Sequence, residues 1–309
     1  MNKAIVVGGA GFIGSHVVEK ILNCDLNWDE ILVIDNLSTG KIENIHPKAK
    51  LILADIRKYE EIESHFAGAT HVWHLAAFTQ VESSIKDPLL YNDINVNGTL
   101  NIFLAAKKHD VKKIVFSSSS SVYGQSINTP IPEESDLSPL SPYALQKLHC
   151  EQYGKLFSDL YGLNITCLRY FNVYGNRSPD KGSYAPVINI WLKQFREGKK
   201  ITITGDGTQT RDFVNVLDVA NANYMAAVFA PSGFNVYNVG SSKEYELNEI
   251  ARWICKDEEN IEYISPRIEP KKSCSDIRKM LEMSKNKFSI SHNIKDYIDE
   301  NCKLHINKT

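Results

Sequence analysis

Tyr143 and Lys147 stand four residues apart in Ser141-Pro-Tyr-Ala-Leu-Gln-Lys147. Four residues is about one helical turn, so a helix here carries both side chains on one face. An ammonium beside a phenol favours the phenolate and lowers a pKa that is ordinarily about 10. That makes a usable base near neutral pH. A run of serines, Ser117 to Ser121, lies upstream of the pair, and a glycine loop, Gly8-Gly-Ala-Gly11-Phe-Ile-Gly14, opens the chain. Together they point to movement of a proton and a hydride at one alcohol carbon.

These groups need a scaffold, and the first half of the chain reads as one. Short β-rich runs alternate with longer helical stretches. The runs are Lys3–Val7, Glu30–Asp35, Lys50–Asp55, His71–Ala76, Lys113–Ser118 and Asn164–Tyr170. Most are nearly continuous in apolar residues, as strands buried on both faces are. Helices are expected over Ser15–Leu22, Tyr91–His109 and Pro142–Tyr161. The alternation predicts an α/β fold, a Rossmann-like doubly wound parallel sheet. After Tyr170 the pattern is irregular: a loop at Asn172–Ser183, a helix at Pro186–Arg196, a strand at Ile201–Thr204 and a turn at Gly205-Asp-Gly207. A helix at Leu217–Phe229 and a strand at Asn235–Val239 are assigned back to the sheet. The expected division is a dinucleotide-binding domain of residues 1–170 with 212–240, and a smaller α/β substrate-binding lobe of 171–211 with 241–309. A short helix is expected at Ile294–Cys302.

Gly8-x-x-Gly11-x-x-Gly14 follows an apolar strand and precedes a helix, the context a dinucleotide loop needs. Glycines let the turn tighten and the backbone approach a pyrophosphate, which then faces the helix N-terminus. Asp35 ends the second strand about 20 residues further on, where a carboxylate accepts the adenosine ribose hydroxyls. A carboxylate there repels a 2′-phosphate, which favours NAD over NADP. Asp55 and Ile56, after the third strand, are placed to contact the adenine; Asp55 reads equally as a turn residue.

The order glycine loop, Asp, serine-bearing strand end, Tyr and Lys resembles the extended short-chain dehydrogenase/reductase family, in particular the nucleotide-sugar 4-epimerases. The matching segments include Asp35-Asn-Leu-Ser, His74-Leu-Ala-Ala77, Phe116-Ser-Ser-Ser119, Val122-Tyr-Gly124, Leu168-Arg-Tyr-Phe-Asn-Val-Tyr-Gly175 and Gly205-Asp-Gly-Thr-Gln-Thr-Arg-Asp212. The resemblance implies roles. Tyr143 is the base for the sugar O4 proton, Lys147 holds the nicotinamide ribose and lowers the tyrosine pKa, and Ser119 hydrogen-bonds O4. The serine register is open by one residue. Phe12, Ile13, Asn36, Ala76, Ala77, Ser117 and Tyr170 line the cofactor groove, and Asn95 sits near the cofactor or orients the loop over it. Ser120 and Asn172 lie beside the sugar, and Arg211 and Arg267 pair with the nucleotide diphosphate. The family usually reads Arg-Pro-Gly-Asp where this chain reads Arg267-Ile-Glu-Pro270. Ser273 falls at a position that gates sugar size, a small residue admitting N-acetylated sugars.

The implied activity is NAD-dependent C4 epimerisation of a UDP-hexose. UDP-N-acetylglucosamine/UDP-N-acetylgalactosamine is favoured, with UDP-glucose/UDP-galactose as a further substrate pair. Nucleotide-sugar 4,6-dehydratases and decarboxylases start alike, but usually carry an acidic residue just after the active-site Ser or Thr. Here Ser120 and Ser121 follow Ser119. A non-catalytic NAD-binding scaffold is the alternative from another class. The resemblance also implies a homodimer, paired through a four-helix bundle built from Tyr91–His109 and Pro142–Tyr161.

Composition narrows the partners. At 309 residues with a net charge of −2, the chain has no global field for nucleic acid or a membrane surface. No apolar run approaches the roughly 20 residues that span a bilayer, and the N-terminus does not read as a signal peptide. The 6 cysteines are scattered with no CxxC pair, which reads as reduced thiols in a cytoplasmic protein without a metal site. Supply of glycan precursors for polysaccharide biosynthesis is the expected setting.

Overall fold

A computed structural model of the chain describes residues 2–125, 128–179, 186–266 and 269–306. Seven strands form one parallel sheet: β1 (Lys3–Val7), β2 (Glu30–Asp35), β3 (Lys50–Leu53), β4 (Ala69–His74), β5 (Lys113–Ser119), β6 (Ile165–Tyr170) and β7 (Phe234–Val239). Their spatial order is β7-β6-β5-β4-β1-β2-β3. The order reverses between β1 and β4, and ligands of such sheets bind in the crevice beyond the strand ends at that point. Helices pack on both faces, as the doubly wound reading expected. On one side Val17, Val18 and Ile21 of helix Phe12–Leu22 meet Val219, Ala222 and Ala226 of helix Val216–Phe229. On the other, Ile102 and Phe103 of helix Gly98–Lys108 join Phe157 of helix Pro142–Tyr161 over Ile114 and Phe116.

Helix Pro142–Tyr161 has sequence-encoded ends. The Ser141 side chain accepts from the Ala144 amide at 3.2 Å, and Pro142 occupies the first turn, where its missing N–H costs nothing. Gly162 closes it in the left-handed conformation with φ 70°. The single helix expected at Tyr91–His109 is a composite. Pro88–Asn92 and Gly98–Lys108 are α-helical, and Asp93–Asn97 is a π-turn.

The smaller lobe has its own core. Trp191 and Leu192 of helix Val187–Arg196, Ile250 and Ile254 of helix Leu247–Cys255, and Ile298 of helix Ile294–Ile306 surround Ile201 and Ile203. Strand Ile201–Thr204 pairs in parallel with Ile261–Ile264, which the sequence pattern does not reveal. Two further short strand pairs join Asn172–Tyr174 to Phe213–Asn215 and Thr210–Arg211 to Tyr245–Glu246. The start of the stretch read as a loop is thus a strand. Two segments lie apart from the division expected above: Ile277, Met280 and Phe288 pack into the sheet's core, and Phe213 packs into the lobe's. Each follows the apolar surface nearest its own short element. Among the described residues no helix is long and apolar enough to cross a membrane.

Buried His74 and half-buried His71 make stability depend on acid. Burial pushes His74 down to about 3 and His71 down to about 4 from an ordinary 6.5. Both folded values are depressed, so the unfolded chain binds more protons between pH 6.5 and these values. Their contribution is fully present above pH 6.5 and is lost as pH falls through the folded values. Urea titrations from pH 7 to 4 are expected to lose on the order of 3 kcal/mol or more of unfolding free energy. His74→Phe would roughly halve that dependence, leaving the His71 part.

Candidate active site

The glycine loop joins β1 to helix Phe12–Leu22. Gly8 has φ +81°, and a Cβ there would lie 2.5 Å from the Ala76 amide nitrogen. A Cβ on Gly14 would lie 2.1 Å from the Gly8 carbonyl oxygen. Only glycine lets loop, helix and the end of β4 approach this closely. Gly11 caps the helix with no side-chain acceptor, and the first-turn residues Phe12 and Ile13 line a cleft of about 350 Å³. An uncapped N-terminus facing a cleft is suited to an anion.

That one cleft runs along the strand ends and brings together most of the residues expected at a cofactor: the glycine loop, Asp35, Asn36, Asp55, Ile56, Ala76, Ala77, Ser117, Ser119, Tyr143 and Tyr170. Asp35 accepts from the Ala10 amide at 3.0 Å and the Leu37 amide at 2.8 Å, which fixes its carboxylate at the rim. Burial raises its pKa despite those bonds. Asp55 both lines the cleft and makes a turn. Its carboxylate accepts from the Arg57 guanidinium at 3.0 and 2.7 Å, from the Arg57 amide at 3.0 Å and from Asn36 at 3.2 Å. The Arg57 guanidinium holds it down at about 2. Asn95 does not line the cleft. It clamps Phe78 through two bonds of 2.9 Å, one to the amide and one to the carbonyl, and so holds the loop beyond Ala77.

The Tyr143 end is assembled by β5 and helix Pro142–Tyr161. The Ser119 hydroxyl lies beside the Tyr143 phenol and lowers its pKa, and both residues line the cleft. Ser119 Oγ already accepts from the Ser121 hydroxyl at 2.9 Å and the Ser121 amide at 3.2 Å. Its own hydrogen is therefore free to point at the phenol oxygen, which favours the phenolate. Sequence reasoning passed over Ser121 in this orienting role because the five serines are alike. Ser120 starts the turn after β5 and is not among the residues lining the cleft.

Lys147 departs from its expected electrostatic part. Its Nζ donates to the Ser117 carbonyl at 2.6 Å, and burial pushes its pKa down to about 8. Tyr143 is pushed up to about 12 by burial, offset by Ser119 and not by the lysine. The cost of burying a phenolate exceeds what a lysine held on a backbone carbonyl returns. The chain's own residues thus hold Tyr143 protonated at neutral pH.

Of the other residues expected at the substrate, Asn172 and Arg211 lie beside Asp212 and do not line the cleft. Asn172 donates to the Asp212 carbonyl from its backbone and from its side chain, both at 3.0 Å. The buried Asp212 carboxylate accepts from Ser241 at 2.7 and 2.6 Å, from the Ser242 amide at 3.1 Å and from Ser275 at 2.9 and 2.5 Å. Ser273 is half-buried two residues before Ser275. Arg211 is not a free cation: its guanidinium meets Glu269 at 2.6 Å and the Thr210 carbonyl at 2.8 Å. A substrate diphosphate would compete with Glu269 for it. Arg267 lies outside the described residues.

A reversing parallel sheet, an open helix N-terminus in the crevice, a strand-end carboxylate and a Ser–Tyr–Lys set at the other end define a dinucleotide-dependent enzyme. The sequence pattern of the NAD dependent epimerase/dehydratase family matches residues 4–240. A Methanocaldococcus jannaschii protein provisionally named UDP-glucose 4-epimerase is 44% identical over 248 residues, 80% of this chain and 79% of its own. The structure of UDP-N-acetylglucosamine 4-epimerase from Methanobrevibacter ruminantium, in complex with UDP-N-acetylmuramic acid, is 35% identical with a TM-score of 0.89 over 99% of both chains. That of Thermus thermophilus UDP-glucose 4-epimerase in complex with NAD is 31% identical with a TM-score of 0.88, covering 99% of this chain and 100% of the other. The chain belongs to the NAD dependent epimerase/dehydratase family. Its cofactor is NAD, which the glycine cradle and Asp35 fit, and it is an isomerase.

Proposed function

We propose that this enzyme interconverts UDP-N-acetylglucosamine and UDP-N-acetylgalactosamine at C4, with UDP-glucose and UDP-galactose as a further pair. The carrying observation is the placement of Ser119 beside Tyr143 at the end of the cleft that begins at the glycine loop. Ser119 and Tyr143 converge on one hydroxyl and take its proton. Bound NAD supplies the hydride acceptor at C4 and a positive ring charge that favours the phenolate. Lys147 orients the nicotinamide end from its seat on Ser117. The resulting keto sugar turns over, and Tyr143 returns the proton after reduction from the other face. Lack of an acidic residue at Ser120 or Ser121 leaves no neighbour of Ser119 to expel a C6 hydroxyl, which favours epimerisation over 4,6-dehydration. Ser273 is assigned to the sugar-size gate, and the Methanobrevibacter relative with its N-acetylated ligand supports that choice.

Incubation with UDP-, GDP- and dTDP-sugars without added cofactor, followed by separation of epimers, tests this reading. A mixture of the two N-acetylhexosamine epimers is the expected result. A lasting 4-keto product absorbing in alkali overturns it in favour of a dehydratase.

We further propose a homodimer. Leu104 faces solvent on helix Gly98–Lys108, as do Leu145, Leu156 (48% exposed) and Leu160 (62%) on helix Pro142–Tyr161. Apolar side chains on one face of two adjacent helices suit burial against the same pair on a second copy. The double substitution Leu156→Glu/Leu160→Glu is expected to convert a dimer into a monomer in light scattering. A monomeric parent would contradict this arrangement.

A further inference from the structure

We propose that Ser118 is a positioning residue for this reaction: anchored on Glu151, it fixes the strand end whose serines line the cleft. The inference rests on the epimerase reading above. The last apolar side chain of β5 is Phe116, and the strand ends in Ser117, Ser118 and Ser119. Successive strand residues face opposite sides, so a local slip or twist would exchange one serine for its neighbour. Identical side chains offer no preference between these arrangements, and no apolar residue beyond Phe116 imposes one.

The anchor supplies it. Ser118 Oγ donates to Glu151 Oε1 at 2.5 Å with both residues buried. The carboxylate cannot drift, because Arg169 on β6 holds it at 3.0 and 2.7 Å. Arg169 is itself fixed by the Tyr123 hydroxyl at 2.9 Å and the Glu133 carbonyl at 3.0 Å. In the sheet register Ser118 sits opposite Arg169, and Ser119 opposite the cleft residue Tyr170. Glu151 follows Lys147 by four residues and Tyr143 by eight, on the same helix face. Three consecutive serines therefore meet three helix residues spaced by single turns. The Ser119 hydroxyl meets Tyr143, the Ser117 carbonyl meets Lys147, and the Ser118 hydroxyl meets Glu151. The first two contacts touch the chemistry. The third, from a serine that also lines the cleft, holds the strand end that carries the other two.

Ser118→Ala is the test, because Glu151 keeps both Arg169 bonds and no buried charge is orphaned. With the holoenzyme and UDP-N-acetylglucosamine, kcat is expected to fall about ten-fold with KM nearly unchanged, since small misplacements of a reacting group are costly. The acid limb of the kcat profile should move to higher pH as Tyr143 loses its Ser119 donor. Ser118→Thr, which keeps the hydroxyl, should restore kcat and the limb. Parent-like kcat and an unmoved limb in Ser118→Ala would overturn the inference. So would a loss of kcat matched by a lower Tm with the limb unmoved, which marks a merely structural role. A parent enzyme that epimerises no UDP-sugar would instead sink the underlying reading, and the inference with it.

Discussion

Tyr143→Phe is expected to lower kcat by about a thousand-fold, the scale of a lost general acid–base group. The change removes one oxygen and little else. The ring keeps its buried volume, and the Tyr143 amide keeps its bond to the Ser84 hydroxyl at 3.2 Å. NAD retained by the purified protein, measured after acid release, should match the parent, and Tm should change by only a few degrees. Loss of turnover with loss of cofactor would mean that the phenol holds the nucleotide instead of moving a proton. Undiminished turnover would show that Tyr143 is not the acid–base group.

Glu151→Gln is expected to be the most destabilising conservative substitution near the site. The Arg169–Glu151 pair is only 4% exposed on either side chain. Removing one charge of a buried pair leaves the other without compensation, at a cost of about 3–5 kcal/mol. For a protein of this size that is a fall of roughly 10 °C in Tm. Calorimetry on the holoenzyme measures it. Replacing both residues by methionine should recover much of the loss, since the penalty lies in the orphaned guanidinium and not in a missing attraction. A Glu151→Gln protein as stable as the parent would show that water reaches Arg169 and that the pair is not truly enclosed.

The sheet was legible because most of its strands are enclosed on both faces. Lys3–Val7 and Glu30–Asp35 have the limits their apolar runs suggest, and Pro142–Tyr161 is bounded by a serine cap and a glycine that any reader of the chain can see. The smaller lobe was less so. Ile261–Ile264 exposes Glu262, Tyr263 and Ile264, and Thr210–Arg211 has only two residues, so neither carries an alternation long enough to read. At the site, types and spacing located the cleft but not its balance of charge. Helical spacing placed Lys147 beside Tyr143; only the fold shows the amine committed to the Ser117 carbonyl. Likewise the Arg211 guanidinium is visible in the sequence, whereas its Glu269 partner lies 58 residues away. The serine register depended on Glu151, a residue on another element whose part no local pattern announces.

The π-turn at Asp93–Asn97 amounts to one surplus residue in an otherwise regular helix. Deleting a single position there would let the ladder close normally and rotate Gly98–Lys108 by about 100° relative to the segment before it. Leu104 would swing off the solvent side, and Asn95 would part from Phe78 and Gln146. One extra amino acid thus sets the phase between the Asn95 clamp on Phe78 and the exposed face that carries Leu104.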